Sequence, residues 1–409
     1  MKTDKFVFST WVYNDIREFT PDEMNVWVEC GMNIPLAPKT YIGRDDPTVL
    51  IPWLDRAEEL GIKLIANYEG ISYGDYIRLG EDEYIARVRP LYEALGSHPA
   101  LFGFYIGDEP SDPASYRACQ AIIKIHKTLA PHLTPFLNYM GGMVDHSREH
   151  FGGRDLSGWI KYVTDTTGVE VVCFDQYDQM INDHGGMTMF FRGVRDMVEA
   201  GKGAGVDTWG CLLSSGGHVY KAPNEAEIRW QIHMAATLGL RGVLWFRFYD
   251  RDFAIGSYGS PIDEFGNKTE AYYGMLRTQR RFSNHFGEKI MHLNHKMTYS
   301  VTLDRGVFPM FGEGDHELIK GIKADDETIV SFFDGDDGDE YMCVCNSEYH
   351  HYGVVRFTID PGKVALRAVR WNGREYSDLA DGDENKPGDE ELELVLHPAG
   401  FDMFKLERK

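Results

Sequence analysis

The chain has 409 residues, 43% of them hydrophobic and 13% aromatic, enough for a barrel plus a smaller domain. Its formal net charge is −22 with no basic cluster to offset it, which argues against nucleic acid and anionic membranes as partners. No run is long and apolar enough to span a bilayer, and Lys2, Asp4 and Lys5 break any signal-type apolar region, so a cytoplasmic location is the default expectation.

A strand-then-helix unit recurs along the first three quarters of the chain. Strands are expected over 5–13, 32–38, 63–68, 101–106, 133–139, 169–177, 208–213 and 242–249. Helices are signalled between them by capping patterns. Thr20-Pro-Asp-Glu23 reads as a capping box, Asp46-Pro47 and Asp112-Pro113 as an N-cap followed by proline, and Asn224-Glu-Ala-Glu227 as a second box. An amphipathic helix over 269–286 closes the series. Eight such units without a break predict a (β/α)8 barrel over about 1–295.

After about His295 the period changes to short alternating runs: 317–322, 328–333, 340–345, 353–359, 363–371, 392–396 and 401–405. Gly/Asp/Asn turns such as Asp334–Gly338 and Asn372-Gly373 separate them, which predicts a β-sandwich domain over about 296–409. The terminal stretch Leu396–Leu406 resembles the last strand of sandwiches appended to many carbohydrate-active barrels.

The six cysteines (30, 119, 173, 211, 343 and 345) include no metal-type Cys-x-x-Cys pair, and buried free thiols in a reducing compartment are expected. No metal or other cofactor is expected. His146-Ser-Arg-Glu-His150 matches a zinc-peptidase spacing but lacks that fold context. Gly201–Gly205 runs from a helix end into a strand, the wrong direction for a phosphate cradle, and Asp334–Glu340 suits a hairpin turn better than a calcium loop.

The stretch that concentrates chemistry is Leu101-Phe-Gly-Phe-Tyr-Ile-Gly-Asp-Glu-Pro110. An apolar strand ends directly on Asp108 and Glu109, and Pro110 stops it. Adjacent acids in a turn are commonly just solvated, but the C-terminal end of a barrel strand is where active sites are built. Gly103 and Gly107, read by strand alternation, leave room on one face. Cleavage of a glycosidic bond needs a carboxylic acid to protonate the leaving oxygen, and Glu109 is the best-placed one.

With Gly107-Asp-Glu-Pro110 ending the fourth strand, the chain resembles glycoside hydrolases of clan A, which carry an Asn-Glu-Pro-like motif there. The resemblance covers the barrel and implies the acid/base role for Glu109, with Asp108 in place of the usual Asn. It also implies a carbohydrate substrate. Phe174-Asp-Gln-Tyr177 on the sixth strand and Trp245 on the eighth, as a sugar platform, belong to the same likeness. The clan's nucleophile is a Glu ending the seventh strand, but this strand reads Thr208-Trp-Gly-Cys-Leu-Leu-Ser-Ser-Gly216, with no carboxylate. Glu225 and Glu227 read as first-turn acids of the next helix.

Asp175, Glu69, and Asp250 or Asp252 are the candidates for a second carboxylate, Asp175 first because Tyr177 shares its face. An inverting pair would place Asp175 about 6.5–9.5 Å from Glu109, with Asp175 ionised and Glu109 kept neutral by burial. The Asp108-Glu109 pair also resembles that of family 20 hexosaminidases, which implies substrate assistance through a 2-acetamido group, with Asp108 orienting it. Expected substrate-binding residues are Trp11, Tyr68, Glu69, Asn138, Tyr139, Tyr177, Trp245 and Arg247, drawn from strand-end aromatics and polar groups that suit sugar rings. Other strand-end aromatics are Tyr13, Tyr105, Trp209, Phe248 and Tyr249. The leading expectation is therefore a glycoside hydrolase. A non-catalytic carbohydrate-binding barrel is the rival, and an aldolase-type barrel is third. No oligomeric state is specified by the pattern.

Overall fold

The computed structural model describes residues 3–181, 185–250, 256–382 and 384–409. The chain forms two compact units. One holds Val7–Ala222 with Gly242–Tyr273, and the other holds Thr3–Phe6, Pro223–Arg241 and Gly274–Lys409.

The first unit is built on an eight-stranded parallel sheet. Its strands are β1 (Val7–Thr10), β2 (Thr40–Tyr41), β3 (Leu64–Glu69), β4 (Leu101–Asp108), β5 (Thr134–Tyr139), β6 (Val171–Asp175), β7 (Asp207–Leu213) and β8 (Gly242–Phe246). Its spatial order is β1-β8-β7-β6-β5-β4-β3-β2. The expected second strand over 32–38 does not form a regular ladder, because Pro35 and Pro38 remove donors. The segment still bonds both ways: the Leu36 N–H donates to Thr10 at 3.2 Å, and the Ala37 N–H donates to Ile65 at 2.9 Å. It thus links β1 to β3 and closes the ring.

Between the strands run α1 (Met24–Cys30), α2 (Ile51–Glu59), α3 (Tyr73–Leu79), α4 (Glu81–Leu95), α5 (Pro113–Leu129), α6 (Leu156–Thr167) and α7 (Gly186–Ala204). Asp112 caps α5 by accepting from the Ala114 and Ser115 N–H groups at 2.8 and 3.1 Å. The expected box at Thr20 is not made: Thr20 gives no side-chain cap, and Glu23 instead accepts from the Tyr249 hydroxyl at 2.8 Å.

Inside the ring, Val7, Leu36, Ile65, Phe102, Phe136, Cys173, Trp209 and Leu244 pack as one buried cluster. Trp209 is its centre, with Phe102 and Phe136 each 5.6 Å away by ring centroid. Trp209 is therefore core, as are Phe248 and Tyr249, and none of the three belongs to a sugar platform.

The second unit contains α8 (Glu225–Thr237), residues 274–282 of α9 (Glu270–Phe282), and two antiparallel sheets. The larger orders β9 (Leu293–Ser300), β11 (Thr328–Gly335), β12 (Glu340–Asn346), β17 (Phe401–Arg408), β14 (Val364–Arg370) and β15 (Glu375–Asp378). The smaller orders β10 (Ile319–Ala324), β13 (Gly353–Ile359) and β16 (Glu391–Leu396). Inner-face residues such as Val330, Phe332, Met342, Phe357, Leu394 and Phe404 form the shared core. Asn224 and Glu227 form a complete capping box on α8, so Glu227 is a cap residue, as its spacing suggested. All six cysteines are buried and unbridged. No described helix is long and apolar enough to cross a membrane.

Candidate active site

β4 does not alternate simply. Its register slips against β3 between Leu101 and Gly103, and against β5 between Tyr105 and Gly107. Each slip is a bulge that resets which side chain faces the ring. Phe102 and then Tyr105 pack with the barrel interior, and the next step brings Asp108 toward β5, where Asn138 holds it. Gly103 exists for close approach: a Cβ there would sit 1.8 Å from the Thr134 carbonyl oxygen. The open space expected beside Gly103 is thus filled by backbone, and that beside Gly107 by the Tyr73 ring. Glu109 follows with φ 45°, in the left-handed region, its N–H donating to the Asn138 carbonyl at 2.9 Å. The Tyr73 hydroxyl donates to the Asp108 carbonyl at 2.7 Å.

Three acids meet at this end of the ring. The Asn138 amide nitrogen donates to Asp108 at 3.0 Å and to Asp175 at 2.8 Å. The Tyr177 hydroxyl donates to the same Asp175 oxygen at 2.8 Å and lies 3.1 Å from the Cys211 sulfur. Glu109 is in hydrogen-bond contact with Asp175. Asp175 is buried, whereas Glu109 is exposed. Burial pushes the Asp175 carboxyl well above the usual range, helped by its hydrogen bond to Glu109 and the charges of Asp108 and Glu109, and opposed by Asn138. Burial also pushes Asp108 up to about 6, with Glu109 adding to the rise and Asn138 and Lys39 opposing it.

This corrects the expected division of labour. The sequence reading has Glu109 buried and neutral, Asp175 ionised, and a wide gap between them. The structure buries Asp175, whose carboxyl burial pushes well above the usual range, leaves Glu109 exposed, and brings the two groups into contact. The separation that an inverting pair needs is absent between these two.

The cleft has two lobes with Tyr13 in both. One, of about 490 Å³, is lined by Glu109, Tyr177, Ser215, Phe246 and Arg247 among others. The other, of about 310 Å³, is lined by Trp11, Lys39, Glu69, Tyr73, Tyr105 and Asp108 among others. Ring contacts join Tyr105 to Trp11 (5.3 Å), Trp11 to Tyr13 (5.9 Å), Tyr13 to Phe246 (6.0 Å) and Phe246 to Tyr177 (5.9 Å). The result is a continuous aromatic wall.

Of the expected binding residues, Trp11, Glu69, Tyr177 and Arg247 line these lobes, and Asn138 lies beneath, holding the acids. Three do not belong there. Trp245 is fully buried and points away from the ring interior, since Leu244 and Phe246 point in. Tyr139 stacks on Tyr116 of α5, and the Tyr68 hydroxyl donates to the Pro47 carbonyl at 2.9 Å. Phe246 is the aromatic that β8 presents, and alternation from Leu244 would have found it. Tyr13, though noticed as a strand-end aromatic, and Lys39, Tyr73, Ser215, His218 and Tyr220 had no binding signal in the sequence. Glu69 is ion-paired to Lys39 at 2.5 Å. Asp250 accepts from the Ser260 hydroxyl at 2.5 Å and its N–H at 3.2 Å, a turn-stabilising role. Asp252 lies outside the described residues.

β7 carries no carboxylate at its C-terminal end. Leu213 and Ser215 occupy the cleft there. Arg247 follows β8, with its N–H donating to the Ser215 hydroxyl at 3.2 Å and its carbonyl accepting from Ser214 at 2.9 Å.

No protein-family model matches the sequence, and no curated protein matches it. Solved structures do match the fold. A family 39 glycoside hydrolase from Bacteroides cellulosilyticus WH2 aligns over 100% of this chain and 82% of its own, at 13% identity and TM-score 0.54. A glucosidase from Croceicoccus marinus aligns over 100% and 96%, at 10% identity and TM-score 0.50. A β-galactosidase from Marinomonas ef1 aligns over 69% and 61%, at 10% identity and TM-score 0.51. At these identities the likeness is one of fold: this chain has a (β/α)8 barrel followed by a β-rich domain.

Proposed function

We propose that the protein is an O-glycoside hydrolase acting on an oligosaccharide or glycoside, with Glu109 as general acid. The observation that carries this reading is the contact between Glu109, at the cleft, and the buried acid Asp175 behind it. The two groups hold one proton between them. Resting on Asp175, that proton passes across the hydrogen bond to Glu109 and from Glu109 to the leaving oxygen. Asp175 touches no substrate in this scheme and is a positioning residue. Asn138 and Tyr177 both donate to its Oδ1 and hold the carboxyl group in place. The aromatic wall from Tyr105 to Tyr177 offers faces on which sugar rings stack.

Incubating the protein with a panel of aryl glycosides and natural oligosaccharides, and measuring released sugar, tests this. Release that is lost in Glu109→Gln supports it. Sugars that bind without being consumed support the rival reading, a carbohydrate-binding barrel, which the missing β7 carboxylate favours. Cleavage confined to 2-acetamido sugars with retention would assign the reaction to substrate assistance and give Asp108 the orienting role. The barrel region, about 1–295, and the β-rich region, about 296–409, are proposed as catalytic and accessory.

A further inference from the structure

The smaller lobe of the cleft holds a buried polar group that the fold does not use. β3 turns Ile65 into the ring, and Asn67, two residues on, faces the same way. Asn67 is only 2% exposed and lines this lobe, yet its amide group makes no hydrogen bond to any of the described residues. Its neighbours along the strand differ: the Tyr68 hydroxyl is bonded to Pro47, and Glu69 to Lys39. Burying an amide without a partner is costly, so its donors and its acceptor are met by whatever fills the lobe.

We propose that this lobe binds one uncharged sugar residue, whose hydroxyl groups pair with the Asn67 amide. The proposal rests on the glycosidase reading: the bond that Glu109 protonates lies in the larger lobe, and this residue is a second one, beyond Tyr13, which lines both. A volume of about 310 Å³ accommodates a single ring. Trp11, Tyr13 and Tyr105 give the lobe an aromatic lining against which a ring packs.

The charges around the lobe select against an ionised ring. Asp108 and Glu69 set two carboxyl groups against one ammonium, Lys39, which is already paired with Glu69, so an anionic ring is repelled. The Lys39 ammonium lies 5.1 Å from the centre of the Tyr13 ring, so a cationic ring finds that face taken. A hydroxyl both donates and accepts, which is what an amide offers in return. The substrate is then an oligosaccharide. Binding in the second lobe, away from the reacting bond, favours turnover of a chain that reaches it over that of a single-residue glycoside.

Ligand-observed NMR titration with glucose, galactose, mannose and xylose, and with sodium glucuronate and glucosamine as charged comparators, reads binding apart from turnover. At least one neutral sugar is expected to bind more tightly than both comparators. Asn67→Leu keeps the number of side-chain atoms and removes the hydrogen-bonding groups, and it should weaken that binding about tenfold. The variant should melt no lower than wild type, because the amide it removes supports nothing in the fold. Should leucine not fit, Asn67→Ala repeats the titration, with the same loss expected. Absence of sugar binding, tighter binding of a charged comparator, or binding unchanged in the variant that folds would overturn the site. For turnover, kcat/KM on oligosaccharides relative to aryl glycosides should fall about tenfold in the variant. Asn67-dependent sugar binding without any turnover keeps the site and removes the glycosidase reading. Turnover with the same oligosaccharide-to-aryl ratio in wild type and variant keeps that reading and removes the site.

Discussion

Asp175 is 4% exposed, and its carboxyl group is in hydrogen-bond contact with that of Glu109, which is exposed to the cleft. Two carboxyl groups this close cannot both ionise cheaply, so one proton stays between them. Burial decides that it rests mainly on Asp175.

Asp175→Asn therefore isolates the proton. The asparagine oxygen still accepts from Asn138 and Tyr177, and its amide donates to Glu109, so the geometry survives. Turnover should fall about 100-fold. The basic limb of the pH profile, which reports loss of the proton held on Asp175, should change in the variant. An unmoved limb would make Asp175 merely structural.

The same group sets a pH dependence of stability. A carboxyl raised on folding contributes stability that is full below its unfolded value, about 4, and is lost as pH rises through the folded value. Asp175 and Asp108 are both raised, Asp108 to about 6. Melting temperature should decline from pH 4 upward through 6, and Asp175→Asn should flatten that decline. A wild-type melting temperature that climbs over this range would contradict it.

Asn138 is 1% exposed and gives one amide nitrogen to two acids, at 3.0 and 2.8 Å. Asn138→Ala should cost about 2–3 kcal/mol, since it leaves two carboxyl groups without their common donor. Urea unfolding checks this, and a loss below about 0.5 kcal/mol would show the bonds to be incidental.

Gly103→Ala should prevent stable folding or cost more than about 3 kcal/mol, because its Cβ would stand 1.8 Å from the Thr134 carbonyl oxygen. Expression and thermal melting report on it. A variant as stable as the parent would mean that β4 tolerates a shift away from β5.

The barrel was legible because its units repeat with explicit caps, as at Asp112 and Asn224. The 32–38 strand failed because proline interrupts a ladder while leaving carbonyls free to accept. Glu109 could be read from an apolar strand stopping on two acids. Its relation to Asp175 could not, because it depends on two bulges in β4, and bulges leave no periodic trace. Trp245 and Tyr139 were misplaced for the complementary reason. A large aromatic at a strand end suits either face, and alternation from Leu244 and Asn138 decides which one it takes.

The central claim is that Glu109 delivers a proton to a glycosidic oxygen. Rates of wild type and Glu109→Gln on substrates of graded leaving-group acidity test it most directly. Natural disaccharides should lose about 1,000-fold, and dinitrophenyl glycosides about tenfold or less, because they need little protonation. Equal losses on both classes, or a wild type that releases sugar from neither, would contradict the account.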